Sequence, residues 1–185
     1  MISRNSIWRL LGSFLAIFFV SGAHAQVDYY SACDTIKGVE IVYIVTHDEY
    51  GGVYFENAKN SLMNEPIVWT DTGVRAIPET MPFAERDNKI VNEIIHKVFT
   101  KKEIKQFRKS KNIAEVGVII DPMTGKSMEV AYTLTNLKEF NDPLLYSIPI
   151  QKFELLEILI KQELVWKVSP ESKKASHIGK GFYLF

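Results

Sequence analysis

Cysteine is almost absent. Cys33 is the only one among 185 residues, so an internal disulfide is excluded and so is a zinc site built on paired cysteines. What stays open is a free thiol in an N-terminal arm or a disulfide to another chain. Neither sign of charge is in excess, with 22 Lys and Arg against 22 Asp and Glu, and composition therefore points to no nucleic-acid partner. Glycine-rich phosphate loops are missing, as is the Gly-x-Ser-x-Gly turn that presents a nucleophilic serine. No cofactor site is expected. Long apolar runs are missing too. The stretch from Leu10 to Val20, broken by Gly12 and Ser13, is about half of what a bilayer-spanning helix needs.

That short run sits in a recognisable setting. Arg4 and Arg9 precede or open it, and Ser21-Gly22-Ala23-His24-Ala25 follows. A positive start, an apolar core and small residues flanking His24 form the pattern of a secretory signal. The expectation is residues 1–25 as a signal peptide cleaved after Ala25, with the mature chain starting at Gln26 and working in the periplasm or outside the cell. No transmembrane span would remain. The segment carries two basic residues and no acid, so the mature chain would be slightly acidic.

Residues 26–86 read as a β-rich N-terminal segment. Val39 to Val45 is dense in β-branched and aromatic residues, and Val53-Tyr54-Phe55 resumes after Gly51-Gly52, which predicts a hairpin turning through His47 to Tyr50. Ile67-Val68-Trp69 is a candidate short strand, and Pro78 and Pro82 mark a connector. From Asp87 to Phe99, Ile90, Val91, Ile94, Ile95 and Val98 recur at helical spacing. Thr100 and Glu103 have capping-box spacing, and the helix they open carries the basic run Lys101, Lys102, Lys105, Arg108, Lys109 and Lys111, read as a solvated face. Val116 to Ile120 and Met128 to Leu134 alternate around Asp121 to Lys126, a strong hairpin signal. Ser147 is a candidate cap for a helix with Pro149 in its first turn. Phe153, Leu156 and Ile160 belong to its broad apolar surface, and Glu157 and Lys161 form an i,i+4 pair expected on the exposed remainder. Residues 179–185 read as a last strand. The fold class is α+β: a mainly antiparallel sheet with helices on one face, and helix, hairpin, helix, strand as the order in the C-terminal part.

Few residues can be nominated for chemistry. His47, Asp48 and Glu49 are adjacent, but neighbouring strand residues point to opposite faces, and a polar turn explains them. Glu93-x-x-His96 is half of a di-iron motif whose second copy is missing. His177 has no evident partner. No catalytic or metal-ligating constellation emerges. The terminal aromatics would suit an outer-membrane barrel, yet the chain lacks the eight or more alternating strands that a barrel requires.

Thr100-x-x-Glu103, the turn from Asp121 to Gly125-Lys126, Ile148-Pro149 opening a helix centred on Leu155-Leu156-Glu157, the exit Val165-Trp166-Lys167-Val168-Ser169-Pro170 and the terminal Phe185 occur in one order. Over residues 87–185 this resembles the C-terminal domain of TonB, and more closely the small exported proteins similar to it. The chain lacks TonB's retained anchor, long Pro-rich linker and Tyr-Pro element, so energy transduction is not implied. What the resemblance implies is binding by strand addition at a sheet edge; residues 87–185 are expected to pack with the preceding segment as one unit. Phe182, Tyr183, Leu184 and Phe185 are the candidate edge. Two function classes stay open: a non-enzymatic binding module of the cell envelope, engaging a protein or peptide, or a small periplasmic hydrolase or ligand-binding enzyme with a site built from distant residues.

Overall fold

The computed structural model describes residue 30 and residues 34–49, 51–77, 85–110, 112–135 and 143–185. Residues 1–25, read as a signal peptide, lie outside them, as do Cys33 and the stretch from Pro78 to Pro82 read as a connector.

A six-stranded sheet organises the chain, in the order β1-β2-β3-β5-β4-β6. Its strands are β1 (Thr35–Lys37), β2 (Val42–His47), β3 (Val53–Asn57), β4 (Ile113–Ile120), β5 (Ser127–Thr135) and β6 (Ile178–Tyr183). Every neighbouring pair is antiparallel. The helices are α1 (Glu85–Val98), α2 (Lys101–Ser110) and α3 (Ile150–Glu163). The fold is α+β, as the alternation of period-2 and period-3.6 segments predicts. The early hairpin and the later strands share the one sheet through the β3–β5 pairing, Phe55 lying opposite Tyr132.

Period-2 alternation decides which side chains face the helices. Tyr43, Val45, Phe55, Val116, Val118, Tyr132, Leu134 and Phe182 are buried on that face. Phe153 of α3 seats its ring 5.0 Å from Phe55 and 4.9 Å from Tyr132, and Phe55 and Tyr132 themselves stack at 5.0 Å. Such aromatic pairs add about 0.5–1.5 kcal/mol each beyond the area they bury. The one polar atom of Tyr132 is satisfied in place, its hydroxyl donating to the Phe153 carbonyl at 2.8 Å.

Two turns explain their sequences. At the β4–β5 connection Asp121 Oδ1 accepts from the N–H groups of Met123 and Thr124 at 2.7 and 3.2 Å, and Gly125 adopts φ 71°. A Cβ on Gly125 would sit 2.2 Å from the Trp166 carbonyl oxygen, so only glycine fits. Thr100 and Glu103 form the reciprocal capping box, with Thr100 N–H donating to Glu103 at 2.8 Å and Glu103 N–H to Thr100 Oγ1 at 3.2 Å. Partial burial pushes the Glu103 carboxyl up, but the hydrogen bonds from Lys152 and Thr100 outweigh it and hold the group below its ordinary range.

Several local expectations are corrected. Ser147 does not cap α3: its hydroxyl donates to the Leu144 carbonyl at 2.7 Å inside a short 3-10 turn, and Pro149 occupies the cap position without a side-chain bond. Val39 to Ile41 precede β2 rather than belong to it, and the strand runs on through His47. Ile67 to Trp69 form isolated bridges, Val68 to Arg75 and Trp69 to Ala175, instead of a strand. Glu157 does pair with Lys161 at 2.7 Å, but it is buried, not exposed. It also accepts from the Tyr43 hydroxyl at 2.9 Å and Asn57 Nδ2 at 3.1 Å. Glu154 is buried one turn earlier and accepts the backbone N–H groups of Val39, Glu40 and Ile41, clamping the β1–β2 turn to α3.

Candidate functional site at the β6 edge

Among the described residues β6 ends the sheet and pairs with β4 alone, Phe182 opposite Val116 and Gly181 opposite Gly117. Leu184 N–H donates to the Ala114 carbonyl at 2.9 Å. In an antiparallel ladder every second residue exchanges bonds with its neighbour. That bond therefore turns the backbone groups of Ile178, Lys180 and Phe182 toward β4 and those of Gly179, Gly181 and Tyr183 outward. Upstream the edge is closed: Ser176 N–H donates to Val68 and Thr70 N–H to Lys174, each at 2.8 Å. At Gly179, Gly181 and Tyr183 no such bond covers it among the described residues.

The aromatic end of the strand divides between packing and surface. Phe182 and Leu184 are buried in the main core, and Phe182 lies 6.2 Å from Trp166. Phe185 leaves the strand alternation and packs its ring 4.5 Å from Phe107 and 5.3 Å from Phe99, at the junction of α1 and α2. Tyr183 is 66% exposed. All four line a groove of about 520 Å³ beside the edge, whose other wall is α1 with Asn88, Val91, Asn92 and Ile95. Lys180, a charge that could guard such an edge, instead holds its ammonium 4.9 Å over the Trp166 ring.

Arg108 lines this groove and also a second one of about 300 Å³ between α1 and α2, with His96, Lys101, Ile104, Lys105 and Lys109. Of the basic run read as a solvated face, Lys101, Lys105, Arg108 and Lys109 thus line a depression that meets the edge groove at Arg108. The signal was in the sequence, as cations at i, i+4 and i+8 from Lys101 share a helix face; what it could not give was α1 alongside.

On the opposite face of the sheet the chain after β3 folds back. Buried Glu129 accepts from the N–H groups of Ser61 and Leu62 at 2.7 and 3.0 Å and anchors it there. A groove of about 700 Å³ runs beneath, lined by Met63, Pro66, Ile67, Arg75, Ile77 and Gly179 among others. It adjoins a smaller one of about 280 Å³ where Glu65, Glu115 and His177 meet the glycine floor of Gly117, Gly179 and Gly181. His177, which the sequence left without a partner, is buried, with Nδ1 3.1 Å from Ser176 Oγ. No ion pair joins His177 to a carboxylate among the described residues, and Ser176 Oγ is also the acceptor for Val68 N–H at 3.2 Å.

The other nominated residues stay apart. His47 is exposed at the end of β2, Glu49 is exposed, and Asp48 Oδ1 accepts Gly52 N–H at 2.7 Å, a turn contact. Glu93 reaches Lys89 at 4.0 Å on the solvent side of α1, and His96 faces the cationic groove rather than a carboxylate. Among the described residues no cluster of His, Cys, Asp and Glu could hold a metal, and no helix is long and apolar enough to cross a membrane.

Fold and site together define a small α+β protein with helices on one sheet face and a strand edge left open among the described residues. The chain belongs to the family described as domain of unknown function DUF5043, whose model matches residues 20–180. A crystal structure of a DUF5043 family protein from Bacteroides uniformis ATCC 8492 is similar over 86% of this chain and 88% of that one, with a TM-score of 0.71 at 21% identity. No curated protein matches the chain. The resemblance to the TonB C-terminal domain is not what these comparisons return.

Proposed function

We propose that this protein is an exported, non-enzymatic binding module of the cell envelope that takes up an extended peptide by strand addition along β6. The observation that carries this reading is the outward-turned backbone of Gly179, Gly181 and Tyr183 beside a half-apolar groove. Three N–H and three C=O groups there can pair with a peptide backbone, while the groove takes alternate side chains. The TonB-like order of elements in the C-terminal part points the same way. Export rests on the signal anatomy of Met1 to Ala25, and protein recovered from the native envelope should begin at Gln26 by mass spectrometry. An intact Met1 there would refute export by cleavage.

The decisive variant is Tyr183→Pro. Its N–H is turned away from β4, so proline removes an outward donor and leaves the β4–β6 bonds in place. Binding of β-forming peptides to the mature protein should weaken with little change in melting temperature. Peptides that bind wild type and variant equally would overturn the edge as the site.

A second reading, a small hydrolase or ligand-binding enzyme, draws on Ser176 and His177 beside Glu65 and Glu115. A nucleophile and base at hydrogen-bond distance normally have a third group orienting the base, and none reaches this imidazole among the described residues. Reaction with a serine-directed phosphonate, lost in Ser176→Ala, would favour it.

A further inference from the structure

Every ammonium ion pair among the described residues lies outside the α1–α2 groove: Lys89 with Glu93, Lys97 with Glu163, Lys152 with Glu103 and Lys161 with Glu157. Inside it Lys101, Lys105, Arg108 and Lys109 have no such partner, and no carboxylate lines the walls. Four cations without an ion pair among the described residues thus converge on one depression whose lining holds no acid. That depression meets the edge groove at Arg108, next to the Tyr183 end of β6. A segment paired along β6 and continuing past Tyr183 would run into it.

Resting on the strand-addition reading, we infer that the partner is an acidic peptide of fixed polarity: a β-forming stretch of about five residues, the length that covers this edge, preceded by Asp or Glu residues. Polarity follows from the sheet. All its pairings are antiparallel, and a strand added antiparallel to β6 places its N-terminal end beside Tyr183. Acids before the β-forming stretch reach the cationic groove; acids after it fall near Gly179, toward Glu65, while Glu115, opposite Tyr183, lies along the edge groove and meets either peptide. The acids give orientation and salt dependence, and the backbone bonds hold the register.

Three fluorescein-labelled peptides test this against the mature protein: three Glu before a Val-Thr repeat, three Glu after it, and three Gln before it. The acid-first peptide should bind about tenfold tighter than the other two at low salt, the scale expected of a few exposed charge pairs. Lys105→Gln/Lys109→Gln should erase that preference, while Tyr183→Pro should weaken all three. Equal binding of the Glu-first and Gln-first peptides, still sensitive to Tyr183→Pro, overturns the acidic specificity and leaves strand addition standing. Tightest binding of the acid-last peptide overturns the polarity. Binding of poly-Glu as tight as that of the acid-first peptide, or of none of the peptides, overturns the combined site; a β6-paired dimer blocking the edge would register as the last result with a doubled mass in solution.

Discussion

Replacing Glu157 by alanine should cost about 3–5 kcal/mol, the range for removing one partner of a buried ion pair. The carboxylate is 1% exposed, and three donors converge on it: the Tyr43 hydroxyl at 2.9 Å, Asn57 Nδ2 at 3.1 Å and Lys161 Nζ at 2.7 Å. Alanine leaves the Tyr43 hydroxyl buried without this acceptor, a penalty of about 1–3 kcal/mol, and opens a cavity between α3 and β2. The Lys161 side chain is 30% exposed and can turn to water, which places the total toward the lower end. Glutamine keeps the volume. Because the Tyr43 hydroxyl can rotate to accept from the new amide, its cost should be only about 1–2 kcal/mol. Glu163→Ala supplies the control, since its bridge to Lys97 is substantially solvated and its loss should cost under about 1 kcal/mol. Urea unfolding of the three variants at neutral pH gives the comparison, with an unchanged denaturant slope required for the differences to count as stability. If Glu157→Ala falls within about 1 kcal/mol of Glu163→Ala, the carboxylate is not the junction between helix and sheet described above.

Two other outcomes follow from the packing. Burial first, and then the neighbouring Glu157, hold the Tyr43 hydroxyl far above its ordinary 10.0, and burial does the same to Tyr132. The unfolded chain releases those protons near pH 10 while the folded one retains them, so stability is full below pH 10 and falls above it by about 1.4 kcal/mol per pH unit for each tyrosine; ultraviolet titration should show both ionising only with unfolding, and ionisation in the folded state would contradict the burial. Gly125→Ala and Gly73→Ala share a positive φ, 71° and 67°, but only Gly125 meets a backbone oxygen. Gly73→Ala should cost about 1–2 kcal/mol and Gly125→Ala clearly more in the same urea assay, and equal costs would deny the close approach to Trp166.

Periodicity made the helices and the β4–β5 hairpin legible because each buries one face against a single neighbour. Ile94, Ile95 and Val98 recur at helical spacing and are buried, and Val116, Val118 and Val130 lie on the helix-covered face of the sheet. The capping box was equally plain, being a contact across three residues. β1 was missed for the converse reason: Thr35 to Lys37 has no apolar repeat and is a strand only because β2 lies beside it. The buried acids were missed because charge is normally read as exposure. In Phe153-Glu154-Leu156-Glu157-Ile160 the carboxylates sit on or beside the buried stripe, and all their donors but Lys161 come from residues a hundred or more positions away. A charge inside an apolar helical stripe was the available clue; the identity of its partners was not in the local pattern.

The edge itself shows where such reading stops and why. Strand glycines weaken a strand and often mark a place where another backbone or a ligand comes close. Gly179 and Gly181 alternate with Lys180 and Phe182, so every side chain of this stretch that could pack does so on the helix face, against Trp166 and the core. The opposite face of the strand is left bare of Cβ atoms until Tyr183. The same alternation turns the backbone of the glycines outward. One short sequence, Gly-Lys-Gly-Phe-Tyr, therefore fixes β6 to the core through its even-numbered residues and leaves its odd-numbered ones to the groove. Whether those odd-numbered groups face a partner depends on the order of strands, which places β6 last, and strand order is a property of the whole chain.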